Sequence, residues 1–135
     1  FDNFDENTSH VLPAIIKRAL SGVDPLIVWG DGRDVKDFVH ASDIAKGLLL
    51  AVEKHPLCDP INIASGEPCT TRQLAQTILE VIHSKARLEF DASKPTALRE
   101  RRVDISKAKR LLGYGPSVAL REGLADTMNW WTTNR

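Results

Sequence analysis

The stretch IVWGDGRDVKDFVHASDIAKG, residues 27–47, decides the fold, because it joins strand-like runs to a helix through a turn rich in glycine and charge. LIVWG and DFVH are short β-branched or aromatic runs around the turn Gly30-Asp31-Gly32, which predicts a pair of strands or extended segments. We interpret the turn itself as a hairpin connector. The following ASDIAKGLLLAVEKHP has apolar residues at helical spacing and a capping Ser42 or Asp43, so it predicts a helix.

Helix-like and strand-like segments alternate over the rest of the chain as well. Apolar residues recur at helical spacing in four further segments, which predict amphipathic helices at 9–22, 70–84, 104–113 and 117–135. Gly22 and Gly113 are expected to end two of them, and Thr70 or Thr71 to cap a third. PINIASG at 60–66 and ARLEFDAS at 86–93 predict strands. About five helices and four short strands indicate an α/β fold.

The composition is that of one globular domain without a bulk charge that would attract a polyanion. The 135 residues are 42% hydrophobic, and 18 Lys and Arg balance 18 Asp and Glu. This balance argues against nucleic acid or a membrane surface as a partner, and no apolar run approaches the roughly 20 residues of a membrane span. Cys58 and Cys69 lack a metal-type spacing, so we expect a reducing, cytoplasmic location.

The sequence lacks the common motifs of a complete enzyme. It begins FDNFDENTSH, without an initiator Met, and we expect a fragment of a longer chain. No strand is followed by a G-x-G-x-x-G or P-loop pattern, and neither a nucleophile elbow nor a His-rich metal cluster is present. Tyr114, the single tyrosine, has Val118 rather than Lys four residues later. We therefore assign no catalytic residue and no metal ligand.

Four blocks of sequence, in order, point to a family. They are DNFDENTSHVLPAIIKRA, VWGDGRDVKDFVHASDIA, INIASGEPCTTRQLA and LEFDASKP. Together they resemble the extended short-chain dehydrogenase/reductase family of NAD(P)-dependent nucleotide-sugar epimerases and dehydratases, and look most like its GDP-L-fucose synthase branch. The resemblance implies that residues 1–135 are the C-terminal, substrate-binding part of a Rossmann-type enzyme. Late Rossmann strand and helix elements are expected, and the N-terminal NAD(P)-binding domain is expected to be absent.

The resemblance also implies roles for three residues in the first two blocks. His10 matches a position that closes over the cofactor and the sugar, and Arg18 and Trp29 match substrate contacts. Taken without the family, His10 is interpreted as a neighbour of a helix cap, and Arg18 as a solvated helix charge. Trp29 is equally a core-filling side chain, although an indole at a strand end suits stacking on a sugar or a base.

Several basic residues are implied to hold the nucleotide sugar. Lys36 stands where the family usually has Arg, facing the diphosphate, and a lysine can neutralise a phosphate only as a point charge. Lys94 matches a substrate-binding lysine, and its alternative is a solvent-facing loop residue. One of Arg99, Arg101 or Arg102 is implied to meet the phosphates, in a stretch where Thr96 and Ala97 replace the usual Asp-Gly pair and Arg99 and Glu100 replace the usual Pro-Arg pair. We expect Trp29, Lys36 and Lys94 to share one hollow.

The implied function of the complete enzyme is epimerisation and reduction of a nucleoside-diphosphate 4-keto-6-deoxy sugar, with NADP or NAD as cofactor. One alternative is an NAD-dependent UDP- or dTDP-sugar 4-epimerase or 4,6-dehydratase, and another is a non-catalytic fragment that binds nucleotide sugars. We expect this chain alone to be inactive and to bind no cofactor, since the catalytic Ser or Thr, Tyr and Lys of the family are missing. A homodimer is expected for the complete enzyme, and self-association for the isolated chain.

Overall fold

The computed structural model describes residues 3–5, 8–94 and 99–134, and these residues form five helices and four short strands. The α/β class predicted from the alternating segments is confirmed. Within the described residues, none of the helices is long and apolar enough to cross a membrane. The elements in chain order are α1 (Val11–Leu20), β1 (Leu26–Trp29), β2 (Val35–Lys36), α2 (Ala41–Lys54), β3 (Cys69–Thr70), α3 (Thr71–Val81), β4 (Leu88–Asp91), α4 (Ser106–Leu112) and α5 (Leu120–Thr133).

The helices begin and end largely where the sequence signals indicate. Thr70 and Gln73 form a capping box at the start of α3, and Gly113 ends α4 in a left-handed conformation with φ 66°. The expected cap of α2 is wrong, however. His40 is the N-cap residue and its Nδ1 accepts a hydrogen bond from the Ser42 N–H at 3.4 Å, which leaves the Asp43 carboxylate for other partners.

The strands form two separate two-stranded sheets rather than a hairpin. β1 pairs with β4 in parallel, and β2 pairs with β3 in antiparallel fashion. The hairpin interpretation of Gly30-Asp31-Gly32 is therefore wrong: this turn connects one sheet to the other. Its backbone is held by α3 instead, because Thr71 N–H donates to the Asp34 carbonyl at 2.8 Å and Arg72 N–H donates to the Gly32 carbonyl at 3.0 Å.

Two of the predicted strands are absent from the described structure. The DFVH run extends directly into α2, and the strand ends before it at Lys36. The run 60–66 lies outside any strand among the described residues. At its end the N–H groups of Ser65 and Gly66 donate to the two carboxylate oxygens of Asp37, each at 2.8 Å, so a side chain takes the place of a neighbouring strand.

Two hydrophobic clusters hold these elements together. The larger one packs α1, β1, α3 and α5 against each other, and its buried residues include Ile15, Val28, Ile78 and Met128. The smaller one packs α4 and the segment around Ala64 under α2. Apolar burial of this kind is the main source of stability, and it leaves the carboxyl ends of β1 and β4 open at the surface.

Candidate functional site

The carboxyl ends of β1 and β4 bring Trp29 and Lys94 together. Trp29 stands opposite Asp91 in the parallel register, and Gly30 N–H donates to the Asp91 carbonyl at 2.9 Å. Lys94 N–H donates to the same carbonyl at 3.2 Å, which turns the chain back so that Lys94 Nζ lies 5.9 Å from the centre of the Trp29 ring. This distance is within the range of a cation–π contact. We call these two residues the Trp29–Lys94 pair.

The turn that carries Lys94 is fixed by Asp91. The Asp91 carboxylate accepts hydrogen bonds from the Ser93 hydroxyl at 2.6 Å and from the Ser93 N–H at 3.0 Å. These two bonds lower the pKa of Asp91 below its ordinary value, so the carboxylate remains charged at neutral pH. Trp29 is 55% exposed, so its side chain does not fill the core of the described residues.

Arg18 lies against the edge of β1, on the approach to Trp29. Its Nη1 donates to the Ile27 carbonyl at 2.8 Å and its Nε donates to the Ala14 carbonyl at 3.3 Å. The side chain is half-buried, and burial lowers the pKa of the guanidinium from its usual value. Arg18 is therefore no freely solvated helix charge, and two of its donors are already used by the backbone.

Three further basic residues lie in β2 or in the segment paired with it. Arg101 N–H donates to the Val35 carbonyl and Val35 N–H donates to the Arg99 carbonyl, both at 2.8 Å, so residues 99–101 run parallel to β2. Val35 pairs with Glu100, so Lys36, the next residue of β2, and Arg99 and Arg101 on either side of Glu100 flank this bridge. We call these three residues the basic edge.

Trp29 lies in one sheet and Lys36 in the other, and the expectation that Trp29, Lys36 and Lys94 share one hollow stays a prediction. The loop 30–34 links the two groups. The departure from the family pattern at Thr96 and Ala97 lies outside the described residues.

His10 occupies a separate place, in a cavity of about 740 Å³ between α1, α2 and α5. His10 is the N-cap residue of α1 without a side-chain capping bond. Phe38, His40 and Trp130 line the same cavity, whereas none of the other six candidate residues does so. The structure therefore separates His10 from the Trp29–Lys94 pair and the basic edge.

Two residues near the site have structural tasks that the sequence did not indicate. Asp37 anchors the loop at Ser65, and its charge, together with the stronger effect of burial, raises the pKa of the Cys69 thiol. The buried Tyr114 donates its hydroxyl to the Ala64 carbonyl at 2.9 Å, and burial raises its pKa. Among the described residues, no cluster of three or more His, Cys, Asp and Glu is arranged to hold a metal ion.

Comparison with known proteins identifies relatives of this chain. Residues 1–64 match the model of the NAD dependent epimerase/dehydratase family. The chain is 34% identical to GDP-L-fucose synthase 1 of Arabidopsis thaliana over 137 aligned residues, which cover 98% of this chain and 42% of the relative. It thus spans less than half the length of this relative.

Solved structures with the same fold include enzymes in complex with ligands. A GDP-L-fucose synthetase from Naegleria fowleri bound to NADP superposes with a TM-score of 0.89 at 25% identity, covering 98% of this chain and 43% of that structure. A UDP-glucose 4-epimerase from Thermotoga maritima with UDP-glucose superposes with a TM-score of 0.82 at 30% identity, covering 93% and 40%. Residues 1–64 thus match the NAD dependent epimerase/dehydratase family, and nearly the whole sequence is similar to part of the enzymes named above.

Proposed function

We propose that this chain is the C-terminal, substrate-binding portion of an NAD(P)-dependent nucleotide-sugar epimerase/reductase of the GDP-L-fucose synthase type. The observation that supports it best is the Trp29–Lys94 pair, which stands at the carboxyl ends of two parallel strands. Ligands of open α/β sheets bind at that end of the strands. The substrate class is a nucleoside-diphosphate 4-keto-6-deoxy sugar.

The Trp29–Lys94 pair suits the sugar or the base of such a substrate, and the basic edge suits its diphosphate. An exposed indole offers a flat apolar surface to a sugar or a base, and Lys94 adds a positive charge beside it. Arg99 and Arg101 carry planar guanidinium groups that can bind phosphate oxygens in pairs, whereas Lys36 contributes a point charge. Arg18 holds β1 through the hydrogen bond that it donates to the Ile27 carbonyl.

The residues present do not fit a dinucleotide cofactor by themselves. The sequence has no glycine-rich turn that opens a helix, and that turn is what holds a pyrophosphate in Rossmann-type enzymes. The described cavity around His10 is lined mostly by apolar side chains and has no Lys or Arg. We therefore place NADP or NAD on a preceding N-terminal domain, with His10 as this chain's contribution beside it, and we assign no redox step to these residues.

The proposal is tested with a chimera in which residues 1–135 replace the matching part of the Arabidopsis GDP-L-fucose synthase 1. We expect the chimera to oxidise NADPH when it is given GDP-4-keto-6-deoxymannose. Lys94→Ala should raise the KM for the sugar nucleotide about tenfold, as expected for one charged contact. Lys85→Ala, which removes an exposed lysine after α3, is the matched control and should leave KM unchanged.

A second candidate function is supported by the likeness to the Thermotoga maritima UDP-glucose 4-epimerase. That reaction would leave the NADPH absorbance unchanged and interconvert a UDP- or dTDP-linked sugar. Turnover of UDP-glucose without consumption of NADPH, and none of the GDP-linked substrate, would favour it. A folded chimera that binds the sugar nucleotide but turns over none of these substrates would favour the non-catalytic alternative.

The isolated chain should behave differently from the chimera. We expect GDP-mannose, UDP-glucose and NADPH to bind the 135 residues very weakly or not at all, because half of the pocket walls would be missing. Isothermal titration with each compound checks this expectation. Micromolar binding of a sugar nucleotide to the isolated chain would instead support an independent binding module.

A further inference from the structure

Arg72, the second residue of α3, lies over an aromatic ring at the end of the candidate site. Its Cζ atom is 4.1 Å from the centre of the Phe90 ring, a distance within the range of a cation–π contact. Among the described residues no carboxylate forms an ion pair with this guanidinium. The ring of Phe90 is therefore the partner that orients the Arg72 side chain.

Gly32 meets the same ring from the loop 30–34. It is buried with φ +78°, and a Cβ at this position would lie 2.5 Å from Cε1 and 2.8 Å from Cζ of Phe90. No side chain larger than a hydrogen fits there without moving the ring. Phe90 is thus in contact with the loop and with Arg72 at the same time.

The backbone reinforces this arrangement. Arg72 N–H donates to the Gly32 carbonyl at 3.0 Å, so the residue that covers the ring also holds the loop. Phe90 immediately precedes Asp91, which faces Trp29 and fixes the turn of Lys94. The other end of the loop continues into β2 and Lys36.

From this geometry we propose that Arg72 is a positioning residue: by clamping Phe90 against the loop 30–34, it sets the distance between the Trp29–Lys94 pair and the basic edge. The inference rests on the proposed function, in which these two groups hold the sugar or base and the diphosphate of one substrate. Arg72 acts through Phe90 and need not touch the substrate. A loosened clamp would misplace the two groups relative to each other and weaken binding.

The positioning itself is tested on the 135-residue chain without any ligand. Incorporated 5-fluorotryptophan gives one fluorine NMR signal for each tryptophan, and Trp29→Phe assigns the signal of Trp29. Arg72→Ala should shift or broaden the Trp29 signal, while Arg72→Lys, which retains a cation over the ring, should shift it less. Arg121→Ala, which removes another exposed arginine paired with Glu80, should leave the signal in place.

The effect on binding is tested in the chimera described above. Arg72→Ala should raise the KM for the sugar nucleotide about two- to fivefold, the range expected from one exposed cation–π contact, with kcat and the KM for NADPH unchanged. An Arg72→Ala chimera with the wild-type KM, or with a KM change equal to that of Arg121→Ala, would overturn the inference. An inactive wild-type chimera would instead count against the proposed function. The fluorine NMR signals of the 135-residue chain would still test whether Arg72 influences the position of Trp29.

A second pair of variants tests the contact between the loop 30–34 and Phe90. Gly32→Ala and Gly22→Ala both place a side chain at a positive φ, +78° and +77°, but only the first meets another group, since nothing lies within 4 Å of a Cβ at Gly22. Gly32→Ala should therefore move the Trp29 signal and Gly22→Ala should not. Equal spectra for the two variants would contradict a clamp at Phe90.

Discussion

Asp43 is the residue whose environment differs most from what its position in the sequence indicates. A carboxylate in the first turn of a helix is usually a solvent-exposed partner of the helix dipole. Here it is 1% exposed, and it accepts hydrogen bonds from the Ser117 hydroxyl at 2.7 Å, the Ser117 N–H at 2.9 Å and the Val118 N–H at 3.1 Å. A single side chain on α2 thereby holds the segment that leads into α5.

Asp43→Asn should destabilise the protein by about 2 kcal/mol at pH 7, because an amide offers one acceptor oxygen and leaves a buried N–H donor unsatisfied. Urea unfolding of the two proteins measures this difference. Glu53→Gln, the same type of exchange at an exposed position of α2, should change the free energy of unfolding by less than about 0.5 kcal/mol. Equal losses in the two variants would show that the buried contacts of Asp43 are unimportant.

The same contacts predict a dependence on pH. Burial alone would raise the pKa of Asp43, but the hydrogen bonds from Ser117 and Val118 and the charge of Lys46 outweigh it and lower the pKa. A lowered folded-state pKa adds stability that is complete above the unfolded pKa of about 4 and is lost as the pH falls through the folded value. The difference between wild type and Asp43→Asn should therefore be constant from about pH 5 to 7 and shrink below about pH 4.

Among the elements, the helices could be predicted from the sequence and the strand pairings could not. A helix depends on neighbours three and four residues away, so apolar spacing and caps such as Thr70 and Gly113 are sufficient to place it. A strand needs a partner strand, and the local sequence does not indicate which strand this is. Here β1 pairs with β4, which lies more than 60 residues further along the chain. The turn at Gly30 and Gly32 carried a hairpin signal, but its carbonyls bind α3 instead.

In the candidate site, too, contacts between residues distant in sequence could not be predicted from local patterns. The spacing of Trp29 and Lys94 in the sequence gives no sign that they meet, and only the resemblance to a family indicated both. The placement of Lys36 with Arg99 and Arg101 depends on the bridge between Val35 and Glu100, which no local pattern predicts. Arg72 was missed because a cation–π contact joins a helix and a strand that are distant in sequence.

The N-caps of two helices provide a prediction at this scale. In the capping box of α3, Thr70 Oγ1 accepts from the Gln73 N–H at 3.1 Å and Gln73 Oε1 accepts from the Thr70 N–H at 2.8 Å. Thr70→Ala should cost about 1 kcal/mol of stability. His10→Ala removes the N-cap side chain of α1, which makes no capping bond, and should be nearly neutral. Thermal unfolding would contradict this assignment if the two variants lost equal stability.

At the scale of the whole molecule, one helix face is uncovered. Leu48, Leu49 and Val52 on α2 are 59%, 65% and 74% exposed, and Leu57 just after the helix is 68% exposed. On the opposite side of α2 Gly47 is closely packed, since a Cβ at this position would lie 2.6 Å from Ile63. Contiguous apolar side chains of this size usually mark a surface that is buried against another polypeptide, which agrees with the proposal that these residues form part of a longer enzyme.

The isolated chain should therefore self-associate through the outer face of α2. Sedimentation velocity at rising protein concentration should show dimers or larger species, because association removes Leu48, Leu49 and Val52 from water. Val52→Glu should weaken this association about tenfold or more, since a carboxylate would be buried without a partner. Gln76→Glu adds the same charge at an exposed position of α3 and should leave the association unchanged.

In the chimera, where the remainder of the enzyme would cover this face, Val52→Glu should instead lower the melting temperature. A monodisperse monomer of the isolated chain at high concentration would show that the exposed face of α2 is not an interface.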